Sequence, residues 1–190
     1  MWVVCFVLLY GALGAEPAEM TPAESIAYYR AGGAAIWAFT VIATVASVVM
    51  ALALVGLSRS VAGPARHNLL ARLALVAATV GGIAGMASGL GTFVTLVADP
   101  DRPSALAEAL VAKSPASAIV NGVAWTLLLV AVTLLAFALR RAGVLRRGGL
   151  IIGVLGALLT VVMLATFFFV PVVAAALELA VGAALLARRQ

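Results

Sequence analysis

Charge is the first thing this chain lacks: 10% of its 190 residues are Asp, Glu, Lys or Arg, while 65% are hydrophobic. Soluble domains average about 25% charged and about 45–50% apolar. So little polar surface cannot cover a water-soluble globule, and the expected solvent is largely lipid. Cysteine and histidine are as scarce, with Cys5 and His67 the sole examples. One cysteine makes no intrachain disulfide and no CxxC pair, which excludes thiol-oxidase chemistry. One imidazole builds neither a bis-histidine haem nor a histidine-rich zinc site. No glycine-rich phosphate loop ends in Gly-Lys-Ser or Gly-Lys-Thr. No Ser–His–Asp set suggests itself, because His67 and the loop acids are expected on opposite sides of the membrane. These absences point to a protein that is not an enzyme and holds no cofactor or metal.

What is present is a series of six apolar runs: residues 2–14, 34–57, 69–98, 118–139, 149–170 and 172–187. Four of them exceed the roughly 20 residues needed to cross about 30 Å of hydrocarbon. The first, Trp2 to Gly14, covers only about 20 Å at 1.5 Å per residue. Small residues at Gly11-Ala12-Leu13-Gly14-Ala15 would suit signal cleavage, but the positive n-region of a signal peptide is missing. We therefore expect an uncleaved short span there. The last run is also short, and Pro171 divides it from the fifth by removing an N–H and crowding the preceding turn. The fold expected is all-α: one polytopic transmembrane bundle over residues 1–190 with six spans. The alternative is five spans after a cleaved N-terminal signal.

The net charge of +5 and pI of 10.4 would suggest nucleic acid in a soluble protein. Here the basic residues flank the spans, so no nucleic-acid partner is expected and orientation is what they report. Arg59, Arg66, Arg72, Arg140, Arg141, Arg146, Arg147, Arg188 and Arg189 fall on one side of an alternating bundle. Only Arg30, Arg102 and Lys113 fall on the other. Nine against three places the arginine-rich side and both termini in the cytoplasm. The outer loops are then 15–33 and 99–117, holding Glu16, Glu19, Glu24, Asp99, Asp101 and Glu108. In the first, Thr21-Pro22-Ala23-Glu24 matches a capping box with proline at the first helical position, so a helix should start there. It carries Tyr28 and Tyr29 to headgroup level. In the second, Leu106, Leu110 and Val111 sit at helical spacing behind Pro103, which reads as an amphipathic surface helix.

Two features stand out within the spans. Gly81, Gly85 and Gly89 recur every fourth residue on the third run, and Gly149 and Gly153 repeat the spacing on the fifth. Residues four apart share a helix face, and glycine lets a second backbone approach closely. The plain expectation is packing within one bundle; the functional one is a homodimer face or a thin wall beside a substrate. Ala176, Ala180 and Ala184 repeat the pattern on the sixth run. Glu178 is the one acid inside an apolar run, where a carboxylate costs about 2.5–3.5 kcal/mol on insertion scales. Asn121, Thr160 and Thr166 are candidate partners for it. It is either a proton- or cation-carrying carboxyl or a protonated, hydrogen-bonded structural one. Trp125 and Phe167-Phe168-Phe169 suit lipid contact or packing.

Span four ends in Phe137-Ala138-Leu139 and enters the basic turn Arg140-Arg141-Ala142-Gly143-Val144-Leu145-Arg146-Arg147, and span six closes on Ala187-Arg188-Arg189. From about Trp125 onward these features resemble an uncharacterised family of bacterial six-helix membrane proteins, a domain of unknown function. The resemblance implies six helices and carries no site residues. The sequence thus leads to a bacterial plasma-membrane protein surrounded by lipid bilayer, an accessory or assembly subunit pairing with itself or another membrane subunit. The competing expectation is a small transporter or proton-coupled permease component using Glu178.

Overall fold

A computed structural model describes residues 11, 20–62, 68–99, 101, 104–110, 115–166 and 171–187. Every element among them is an α-helix: α1 (Pro22–Ala31), α2 (Gly33–Ala62), α3 (Leu69–Val97), α4 (Ala105–Leu110), α5 (Pro115–Arg141), α6 (Arg147–Thr166) and α7 (Pro171–Leu186). Four stretches are long and apolar enough to cross a membrane: Gly33–Val61, Leu69–Val97, Ser117–Arg141 and Arg147–Ala165. Ala176–Leu186 is a shorter apolar helix. Among the described residues the chain is therefore all-helical, with four candidate membrane-spanning helices. The expected first span, residues 2–14, lies outside the described residues.

The long helices outrun the apolar stretches that signalled them. α2 continues to Ala62 and α5 begins at Pro115. An apolar run marks only the part of a helix matched to hydrocarbon, whereas the backbone stays helical until a breaker intervenes. Pro115 is tolerated at the start of α5 because the first helical turn needs no N–H there.

Outward faces are as apolar as inward ones. On α2, Val41, Val45, Val49 and Leu52 form an exposed row while Ala46, Met50 and Leu54 are buried. On α6, Ile151, Leu155, Leu158 and Val162 are exposed. A helix apolar on all sides belongs in lipid, since water penalises contiguous patches of this size.

Contacts divide the chain into two units, residues 1–48 with 84–121 and residues 49–83 with 122–190. In the first, α1 starts as its sequence requires. Glu24 N–H donates to Thr21 Oγ1 at 3.3 Å, and Thr21 N–H donates back to Glu24 Oε2 at 2.7 Å. Gly33 adopts φ +54°, a left-handed conformation open to glycine, and turns α1 into α2. Tyr29, Ile36 and Leu96 pack together, joined by Tyr28, whose ring meets Tyr29 edge-on at 5.6 Å. Arg30 Nη1 donates to the Ala98 carbonyl at 3.1 Å, closing the C-terminal end of α3.

In the second unit α5 is the most enclosed helix. Ala124, Trp125, Leu128, Leu129, Ala131, Val132, Leu135, Ala136, Ala138 and Leu139 are each at most 5% exposed. Positions spread that widely around the helix need neighbours on more than one side. α3 supplies one and α6 another, as the glycine contacts below establish. Asn68 caps α3 by accepting from Ala71 N–H at 3.4 Å and donates from Nδ2 to the Ala138 carbonyl at 3.2 Å. The start of α3 is thereby fastened to the end of α5.

The α5–α6 connection is a complete Schellman turn. Gly143 N–H donates to Arg140 O at 3.0 Å and Val144 N–H to Leu139 O at 2.9 Å. Gly143 sits at φ +71°, as the motif demands. Leu145 tucks inward at 4% exposed and anchors the turn.

Candidate functional site

Every functional candidate here is a helix-contact surface or a lone polar side chain, so each is built from its helix face. The glycines of α3 serve two different neighbours. A Cβ placed on Gly81 would lie 3.1 Å from Ala124 O, Leu127 Cβ and Leu128 N of α5. One placed on Gly85 would lie 3.7 Å from Ser47 Cβ, and one on Gly89 would lie 2.6 Å from Thr44 Oγ1, both on α2. Gly82, which the every-fourth-residue reading passed over, would lie 2.7 Å from Ala51 Cβ of α2. The descending order Ala51, Ser47, Thr44 against the ascending Gly82, Gly85, Gly89 is a small-residue antiparallel seam. Close approach of this kind gains dispersion contacts that acyl chains do not match.

Three glycines of α6, Gly149, Gly153 and Gly156, meet α5. A Cβ on Gly149 would lie 2.8 Å from Ala136 O and 3.0 Å from Arg140 Cβ; one on Gly153 would lie 2.8 Å from the Phe137 ring. Gly156, outside the every-fourth-residue spacing, faces Thr133, whose hydroxyl donates to Leu129 O at 2.8 Å. By contrast Ala176 and Ala180 on α7 are exposed.

The polar candidates are dispersed. Asn121 Oδ1 accepts from Ser88 Oγ at 3.5 Å, joining α5 to α3. Thr160 donates to Gly156 O in its own helix at 2.8 Å. The Thr166 side chain, His67 and the Phe167-Phe168-Phe169 run lie outside the described residues. Glu178 is half-buried beside the buried Leu177 and Val181, on a helix that contacts α6. Among the described residues it has neither a hydrogen bond nor an ion pair. Asp99 Oδ1 accepts from Asp101 N–H at 3.1 Å, a local turn. Among the described residues no group of three or more His, Cys, Asp or Glu could hold a metal ion.

One concave surface sits on the second unit. Leu73, Val76, Ala77 and Val80 of α3 and Leu127, Val130 and Leu134 of α5 line an open groove of about 320 Å³. Both walls repeat at three or four residues, so the groove follows the helices for about 10 Å at 1.5 Å per residue. Its lining offers no side-chain donor or acceptor, so it takes apolar side chains or acyl chains and cannot orient a polar substrate. Periodicity alone could not find it, because exposed Leu and Val occupy most of the exterior.

Comparison with known proteins finds no matching family model, no matching curated protein and no matching solved structure.

Proposed function

We propose that this chain is a non-enzymatic subunit of a bacterial plasma-membrane assembly, an accessory or assembly factor working through helix–helix contacts. In this reading it has six spans and both termini in the cytoplasm. The carrying observation is the α3–α5 groove. The enclosed helix α5 comes to the surface there through Leu127, Val130 and Leu134, between the exposed Leu73, Val76 and Val80. Ridges of one helix seat in grooves of this spacing on another. The glycine seams hold the groove walls and are themselves occupied within the chain, which leaves the groove as the contact surface.

Photo-crosslinkers at Val80 and Leu134, with Leu158 on α6 as the lipid-facing control, test this in intact membranes. The expected result is one discrete protein adduct from the groove and lipid adducts alone from Leu158. Lipid adducts alone at all three positions would refute it. The orientation has its own check. A membrane-impermeant thiol reagent on intact cells should label Ser104→Cys and spare Ser60→Cys.

A second reading is supported by one observation, the half-buried Glu178 with no partner among the described residues. Intramembrane carboxyls of this kind carry protons or cations in small transporters. The subunit reading expects Glu178→Gln to fold, assemble and function as the wild type does. Normal folding with loss of the cellular phenotype or of ion-coupled flux would move the assignment to transport.

A further inference from the structure

Four arginines bracket the Schellman turn, and they sit at the border of two candidate spans. Arg141 ends one membrane-length stretch and Arg147 begins the next. Arg140, Arg141, Arg146 and Arg147 are all exposed, and none pairs with a carboxylate among the described residues. The Asn68–Ala138 hydrogen bond fastens the start of α3 to the end of α5, and Arg72, also exposed, lies one turn beyond Asn68. Glu178 is the only acid in the sequence of the second unit, so the local field is uncompensated.

The turn fixes these groups rather than merely carrying them. Gly149 seats the first turn of α6 against the Arg140 stem. Arg140 and Arg141 suit the negative end of α5, but Arg146 and Arg147 stand at the positive end of α6, whose first turn has no acid. The helix dipole opposes cations there. An anion seated among these guanidiniums relieves both the dipole conflict and the mutual repulsion.

We propose that this turn, with Arg72, is a binding site for the phosphate headgroup of an anionic glycerophospholipid. Headgroup depth, uncompensated positive charge and the bidentate fork of arginine all match a lipid phosphodiester. The apolar flanks of α5 and α6 continue from the turn alongside the acyl chains. This inference depends neither on the subunit reading nor on which side of the membrane the turn faces.

The test uses the full-length protein in neutral detergent, with native mass spectrometry counting bound phosphatidylglycerol against phosphatidylcholine. Wild type should prefer phosphatidylglycerol by about tenfold or more. Arg146→Gln with Arg147→Gln should lower that preference roughly tenfold, while Arg59→Gln on α2 leaves it within about twofold. Equal retention of the two lipids, or an unchanged preference in the double glutamine variant, overturns the site. So does full displacement of the lipid by millimolar inorganic phosphate, which would assign the site to a free anion. Should the glutamine variant fail to insert, the charge-preserving Arg146→Lys with Arg147→Lys decides. A loss of about two- to fivefold supports a bidentate phosphate site, and no loss overturns it.

Discussion

Replacing Gly149 with alanine adds one methyl group where the structure has no room for it. Its Cβ would lie 2.8 Å from the Ala136 carbonyl oxygen, 3.0 Å from Arg140 Cβ and 3.2 Å from Leu145 Cβ. The nearest of these is backbone, and all three belong to the hairpin that the Schellman turn closes. α6 cannot recede without opening that turn. Overpacking of this kind costs about 1–3 kcal/mol. Alanine returns at most about 1 kcal/mol through helix propensity, and less in a first turn. The net loss is about 1–2 kcal/mol, or roughly 2–8 °C in melting temperature for a chain of this size. Two controls isolate the contact. At Gly148 and at Gly56 an added Cβ meets nothing within 4 Å. Gly148→Ala and Gly56→Ala should therefore melt no lower than wild type. Thermal unfolding of the three purified variants in one detergent measures this. A Gly149→Ala protein as stable as the Gly148→Ala protein would refute the α5–α6 packing.

Asn68→Ala removes the α3 cap and the bond to Ala138 together and should cost about 1–2 kcal/mol in thermal unfolding. Asn68→Ser restores the cap without the reach to α5 and should melt between that variant and wild type. Hydrogen bonds from Thr21, backbone first and then hydroxyl, hold the Glu24 carboxyl below its ordinary value of 4.5. Because the folded value is the depressed one, this support for α1 is complete above about 4.5 and drains away as pH falls through the lower folded value. Amide exchange at Ser25, whose N–H donates to Thr21 O, should accelerate over that acidic window relative to intrinsic rates, and Thr21→Ala should remove the dependence on pH.

The parts written in local chemistry were legible before the structure. Thr21 and Glu24 spell a capping box, and α1 begins beside them at Pro22. The long apolar runs announced α2, α3, α5 and α6, because burial in lipid demands an unbroken apolar surface whatever the neighbours are. The Arg-Arg-Ala-Gly sequence before Val144 holds the signal of a Schellman turn, a basic last turn followed by glycine. What sequence does not specify is which neighbour a face meets. A spacing of four advances about 40° per step at about 100° per residue, so the Gly81, Gly85, Gly89 row rotates from one neighbour to the next. Gly81 accordingly meets α5 while Gly89 meets α2. Gly82, Gly85 and Gly89 stay within about 60° of one another and form the true seam. The groove escaped notice for a related reason: in lipid, exposed and buried side chains are chemically alike, so composition carries no trace of concavity.

The position of α5 in the chain has a consequence for biosynthesis. α2 and α3 leave the ribosome before the helix against which Gly81 packs, and that helix is not complete until Arg141. At about 5–20 residues per second, the 44 residues from Val97 to Arg141 take on the order of seconds. During that interval the Gly81 face is open to lipid or to any other nascent helix. Once α5 emerges, the five-residue link between Arg141 and Arg147 delivers α6 to its other side almost at once. Assembly is therefore an early helical pair waiting for a late hairpin, and the exposed interval is when insertion machinery or a neighbouring chain has its best access to the α3 surface.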